Sequence, residues 1–217
     1  MIFKKKIKSY KDKNENLTID ENFSVLIFIT KLINELEYFV FFGTLLGLVR
    51  ENNLIQNDDD IDIYINIKER DKLIKILVEN NIVVDLNLKV NQDNSFLQVQ
   101  KEINNKNAII DFYFFDETLD DLYLVEKWNF EGGTNNPSKH LRIPKIFTHP
   151  IQKVEKRSCH INFPAQPEYL CEFLYGKNWK KKLKLKKDEE YVIEVFEGKP
   201  VMFQIKKTIF GKKKIII

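Results

Sequence analysis

The chain has 217 residues, 43% of them hydrophobic and 12% aromatic, with 17 Phe but only 7 Gly and 6 Pro; this composition builds a real core and excludes a disordered or collagen-like polymer. The net charge of +3 is unevenly spread: lysines crowd residues 4–13 and 177–187 and acids gather at 57–62 and 116–121, which favours anionic partners near the basic runs. No apolar stretch is long enough to cross a bilayer, no signal peptide is visible, and the 2 Cys exclude a disulfide framework, so a cytoplasmic, reducing location is expected.

Residues 1–17 read as a polar basic arm. The spacing of Leu26, Ile29, Ile33 and Leu36 predicts a helix from Asp20, as N-cap, to about Glu37. Tyr38–Phe42 reads as a short apolar strand broken by Gly43, with Thr44 opening a short helix that runs to Arg50. After a polar loop, Asp60–Ile67 alternates like a strand, and Lys68–Asn80 reads as an amphipathic helix with Leu73, Ile76 and Leu77 inward. Strands are expected at Ile82–Val90, Phe96–Lys101, Ala108–Phe115 and Leu122–Glu126, followed by a loop from Trp128 to Lys145. A hairpin (Gln152–Arg157 with His160–Phe163), a helix (Glu168–Leu174) stopped at Tyr175-Gly176, and strands at Tyr191–Phe196 and Val201–Ile205 complete the reading. The main body spans 18–187, with a C-terminal extension over 188–217.

Most of the chemistry lies between Phe41 and Ile65. Side chains at i and i+2 of a strand share a face, so Asp60 and Asp62 point the same way, roughly 7 Å apart at Cα for a rise of about 3.3 Å per residue. Bare carboxylates this close repel, and no Lys or Arg occupies residues 51–67, so a divalent metal, Mg²⁺ or Mn²⁺, is the better partner. The Gly43-Thr44 turn allows close backbone approach to a phosphate, the following helix N-terminus offers N–H groups, and the Thr44 hydroxyl adds a donor. Asp111, between Ile110 and Phe112 on a later strand, completes the metal shell or takes a proton from an attacking hydroxyl. Arg50 offers a planar fork for phosphate. In this order the elements describe an α+β, nucleotidyltransferase-like mixed sheet flanked by helices, carrying a metal-dependent transferase site. For Asp58 and Asp59 the plain alternative, exposed loop acids, stays open. Cys159, Cys171, His149 and His160 fit no familiar zinc spacing, and buried free thiols are the commoner arrangement.

FGTLLGLVR followed by DDDIDI resembles the signature of the LicD/fukutin-related family, a branch of the nucleotidyltransferase-fold superfamily. Ile110-Asp111-Phe112-Tyr113 matches the place of that family's third carboxylate, and PEYLCEFLYGKNW, Pro167 to Trp179, is similar to its C-terminal Tyr-Gly-x-x-Trp element. The chain departs from many members at Asn57, where they carry a Trp. The resemblance implies transfer of a phospho-alcohol, such as phosphocholine or a pentitol phosphate, from a CDP-linked donor to a glycan or glycolipid hydroxyl such as that of a lipopolysaccharide, releasing CMP. It implies Asp60, Asp62 and Asp111 as metal ligands, Gly43 and Thr44 facing the diphosphate and Arg50 beside it, with no nucleic acid partner. The same carboxylates would also serve a nucleotidyltransferase that adds NMP from an NTP to a small molecule, protein or nucleic acid. Lys180–Lys187 follow the Trp179 element, so they are expected to draw in an anionic acceptor or an anionic membrane surface.

Overall fold

The computed structural model describes residues 17–56, 58, 60–128, 136–182, 189–208 and 211–216. The basic arm up to residue 16, Asn57, Asp59, the Gly132-Gly133-containing stretch and Lys184, Lys186 and Lys187 lie outside these residues. The fold is α+β. Its centre is a six-stranded mixed sheet in the order β1-β2-β4-β5-β6, with β3 also pairing to β4. The strands are β1 (Tyr38–Val40), β2 (Asp60–Asn66), β3 (Phe96–Ile103), β4 (Lys106–Glu117), β5 (Tyr123–Glu126) and β6 (Leu141–Pro144).

The long β4 organises the sheet. One edge runs parallel to β2, pairing Asp60 with Ile109 and Asp62 with Asp111. The other edge is divided: β3 takes the part up to Tyr113, antiparallel, and β5 takes Phe115 to Glu117. A near-continuous apolar run suits such a strand, because both of its faces are covered; Ile110 and Phe112 through Phe115 are all buried. Helices α1 (Ile19–Leu32), α2 (Phe42–Arg50), α3 (Arg70–Glu79), α4 (Lys145–Thr148) and α5 (Pro167–Tyr175) flank the sheet. Separate from it are the hairpin β7 (Gln152–Lys156) with β8 (Cys159–Phe163), and a three-stranded meander of β9 (Glu189–Phe196), β10 (Lys199–Thr208) and β11 (Gly211–Ile216).

Several expectations shift. Thr18, not Asp20, caps α1: its hydroxyl accepts from the Glu21 N–H at 3.2 Å while the Glu21 carboxylate accepts from the Thr18 N–H at 2.8 Å. This is a capping box, and its Thr-x-x-Glu signal is present in the sequence. The helix ends at Leu32, short of Glu37. Helix α2 begins at Phe42, so Gly43 lies in its first turn rather than breaking a strand. Ile82–Val90 is not a strand. Only Val83 bridges, to Gln100 on the outer edge of β3. Instead Asn91 substitutes for a strand partner, accepting from the Gln98 N–H at 2.7 Å and donating to the Gln98 carbonyl at 2.9 Å. The expected loop 128–145 contains β6, which pairs with β5, and the C-terminal extension holds a third strand, β11, that the reading lacked.

Candidate active site

An aromatic bed underlies the site. Phe41 stacks on Tyr64 with ring centroids 4.2 Å apart, Phe42 meets Phe41 at 4.1 Å, and Tyr113 stands edge-on to Phe42 at 5.0 Å. Phe42 takes a left-handed φ of 30°, a conformation a bulky residue holds only when its surroundings enforce it. That turn sets the start of α2 against β2.

Asp62 is 5% exposed and its carboxylate sits on the first turn of α2, accepting from the Thr44 N–H at 3.3 Å and from the Gly43 N–H. The free N–H groups expected to receive a phosphate are therefore directed at Asp62. Thr44 is fully buried, and its hydroxyl accepts from the Asp62 N–H at 2.9 Å. The structure uses Thr44 to hold Asp62 in place, whereas the sequence reading turned it toward a donor. Gly43 has a steric reason of its own. A methyl group there would lie 2.8 Å from Asp58 Oδ2 and 3.2 Å from Asp62 Oδ2, so the glycine admits carboxylates where a phosphate contact was expected.

Asp111 stands opposite Asp62 in the parallel ladder and is likewise buried; its Oδ1 accepts from Gln98 Nε2 at 2.9 Å. Burial, then the charges of Asp58 and Asp111, push the Asp62 carboxyl well above the usual carboxylate range, against the pull of the Thr44 and Gly43 N–H groups. Asp58 thus belongs to the cluster and is no bystander loop acid. Its carbonyl accepts from Asn22 Nδ2 at 3.2 Å, which ties the loop to α1. The flexible-looking Asn/Asp loop concealed this in the sequence.

Asp58, Asp60 and Asp62 line a chamber of about 320 Å³ with Phe42, Gly43, Tyr113, Tyr175, Val192, Ile193 and Met202. A larger cleft of about 720 Å³ adjoins it, sharing Tyr175 and Met202; Arg50, Lys177, Lys181 and Lys182 meet Trp179, Leu46 and Ile55 there. Arg50 therefore lies in the cleft rather than among the carboxylates. Its guanidinium donates to Glu51 Oε1 at 2.7 Å, and Lys182 reaches Glu51 Oε2 at 2.6 Å. Lys180 turns away, pairing with Glu168 at 2.8 Å and lying over the Trp179 ring.

Among the described residues, no three His, Cys, Asp or Glu side chains are arranged as a metal-holding group. The donor chemistry and backbone positions nevertheless suit a hard divalent cation. Asp60 and Asp62 share a strand face, Asp111 is in register with Asp62, and the neighbouring Asp58 and Asp111 disfavour the Asp62 anion, a repulsion that a cation would relieve. Cys159 and Cys171 are free and buried, burial pushing the Cys171 thiol up to about 12. His149 Nε2 lies 3.0 Å from Glu37 Oε1.

A further acid escaped sequence reading. Glu126 on β5 is 2% exposed, and among the described residues its Oε1 has no hydrogen-bond partner. Burial pushes its carboxyl well above the usual range, opposed by the Trp128 N–H and reinforced by Asp93. A carboxyl whose folded value is raised contributes stability that is fully present below its unfolded value and is lost as pH rises through the folded one. Glu126→Gln should therefore gain on the wild type as pH rises from 4 to 8, by about 1–3 kcal/mol, the scale of an unsatisfied buried polar group. Thermal melts across that range check this; a constant offset from the wild type at every pH would contradict it.

An acid-bearing strand pair beneath the first turn of a short helix defines a nucleotidyltransferase-type domain. The chain belongs to the LicD/FKTN/FKRP family, whose nucleotidyltransferase-domain model matches residues 35–166, and it is a transferase of that group. No curated protein sequence matches the chain. Among solved structures, the lincomycin-bound lincosamide antibiotic adenylyltransferase LnuA is similar at 16% identity and a TM-score of 0.48, with 80% of this chain and 92% of that one covered. No helix among the described residues is long and apolar enough to cross a membrane.

Proposed function

We propose that the protein transfers a phospho-alcohol, phosphocholine or a pentitol phosphate, from a CDP-linked donor to a glycan or glycolipid hydroxyl and releases CMP. The observation that carries this reading is the adjacency of two unlike compartments, a carboxylate-lined chamber and a cationic cleft, within a LicD/FKTN/FKRP domain. A pyrophosphate-linked donor is anionic at its centre and needs cations on the side that carries the nucleotide. Arg50, Lys181 and Lys182 supply them, and Trp179 and Leu46 offer an apolar wall for a base. Lys181 and Lys182 line the cleft, which supports an anionic ligand for them.

Asp60, Asp62 and Asp111 would hold Mg²⁺ or Mn²⁺, which when bound screens phosphate charge and aligns the attacking and leaving oxygens. In the reaction, the acceptor oxygen bonds to the distal phosphorus and the bond from that phosphorus to the CMP oxygen breaks. The hydroxyl proton passes to a carboxylate of the cluster; Asp111 would take it where it does not complete the metal shell. The buried bed of Phe41, Tyr64 and Tyr113 keeps bulk water from the floor of the chamber.

The test is CMP release from CDP-choline, CDP-ribitol or CDP-glycerol with Mg²⁺ present, using CTP and ATP as the contrast. CMP from one CDP-alcohol supports the proposal. Pyrophosphate from an NTP alone would replace it with nucleotidyl transfer, the other activity that these carboxylates serve.

A further inference from the structure

The family model ends at residue 166, yet both compartments are walled by residues beyond it. Val192 and Ile193 of β9 and Met202 of β10 face the chamber, and Met202 together with Tyr175 also faces the cleft. Met202 stands opposite Ile193 in the antiparallel ladder, so the two side chains occupy the same face. This wall is pinned at the β9–β10 turn. The Arg142 N–H donates to the Gly198 carbonyl at 2.9 Å, and the Gly198 N–H donates to the Ser138 carbonyl at 3.4 Å. Gly198 has a φ of 80°, and a methyl group on it would meet Arg142 Cδ at 2.8 Å, so the turn and β6 fit each other only with glycine there.

Tyr175 and Met202 line both compartments, so a ligand that reaches from the cleft to the carboxylates lies against them. Tyr175 is held at the end of α5, where Gly176 terminates the helix. The unbranched thioether of Met202 is thus the adjustable one of the two. We propose that Met202 is a specificity-determining residue: its bulk limits the size of the alcohol that a nucleotide-linked donor can carry into the chamber. This rests on the transferase reading above, and it makes the C-terminal meander part of the working site.

The experiment compares kcat/KM for CMP release from CDP-glycerol and from the bulkier CDP-ribitol, using the full-length chain with Mg²⁺. Met202→Ala should shift the ratio toward CDP-ribitol by about tenfold, within the range that one or two methylenes of a pocket wall command. Ile193→Ala should shift it the same way, Met202→Phe the opposite way, and the near-isosteric Met202→Leu the least. Wild-type turnover with ratios unchanged in well-folded Met202→Ala, Ile193→Ala and Met202→Phe overturns the inference and leaves the transferase reading standing. If Met202→Ala fails to fold, the opposed shifts of Ile193→Ala and Met202→Phe decide the matter. A wild type that releases no CMP from any CDP-alcohol overturns the reading, and the inference falls with it.

Discussion

Asp62→Asn should lower CMP release by about a thousandfold, at the upper end of what loss of one preorganised electrostatic group costs, while leaving the metal-free protein at least as stable as the wild type. The two effects have one cause. Asp62 is buried beside Asp58 and Asp111, and its charge is disfavoured by desolvation before any repulsion is counted. An amide has nearly the same shape, and its oxygen can still accept from the Thr44 N–H that now donates to the carboxylate at 3.3 Å. The substitution therefore keeps the α2–β2 clamp and removes only the charge. Thermal melting with and without Mn²⁺ separates the contributions. The wild type should gain stability on adding the ion, as any ligand binding only the folded state provides, and Asp62→Asn should gain much less. Equal gains in both proteins would mean that the ion binds elsewhere.

Gly47→Ala is the second large effect, and it acts on stability. Gly47 lies inside α2, where alanine by intrinsic propensity is better by roughly 1 kcal/mol. Tertiary packing reverses that preference. The added methyl would meet the Asn53 carbonyl oxygen at 2.7 Å and the Ile55 nitrogen at 2.9 Å, both main-chain atoms that cannot rotate aside. Overpacking of this kind costs about 1–3 kcal/mol, which for a chain of this size is a melting point lowered by roughly 3–10 °C. The displaced segment leads into Asp58, so Mn²⁺ affinity should fall together with stability. Calorimetry and an Mn²⁺ titration check both parts; a variant that melts above the wild type would show that helix propensity prevails.

Gly47 also marks a limit of sequence reading. In GTLLGLVR it is one helical residue among others, and its need for a bare Cα comes from a loop six to eight positions further along the chain that folds back over it. Thr44 makes the same point. The residue type suggested a hydroxyl facing a phosphate, but burial directs that hydroxyl to the Asp62 N–H. Arg50 was readable as a cation of the site, while its place in the neighbouring cleft, held by Glu51, depends on how α2 packs against α5.

By itself the sequence determined what local geometry can determine. The two-residue period of Asp60-Ile61-Asp62-Ile63 places both carboxylates on one strand face wherever the strand lies, and the apolar neighbours of Asp111 place it inside a sheet. The motifs from Phe42 to Tyr113, which lie within the residues 35–166 that the family model matches, rest on the same short-range pattern, while the Pro167–Trp179 element lies beyond that match. Only the tertiary structure decided that Asp111 pairs in register with Asp62, that Asp58 joins them, that Ile82–Val90 meets the outer edge of β3 through a single bridge at Val83, and that the meander beyond residue 188 walls the chamber. Each of these is a contact between segments distant along the chain. Register and coverage of this sort follow from which edges are already paired and which apolar faces still need burial, and no local periodicity encodes them.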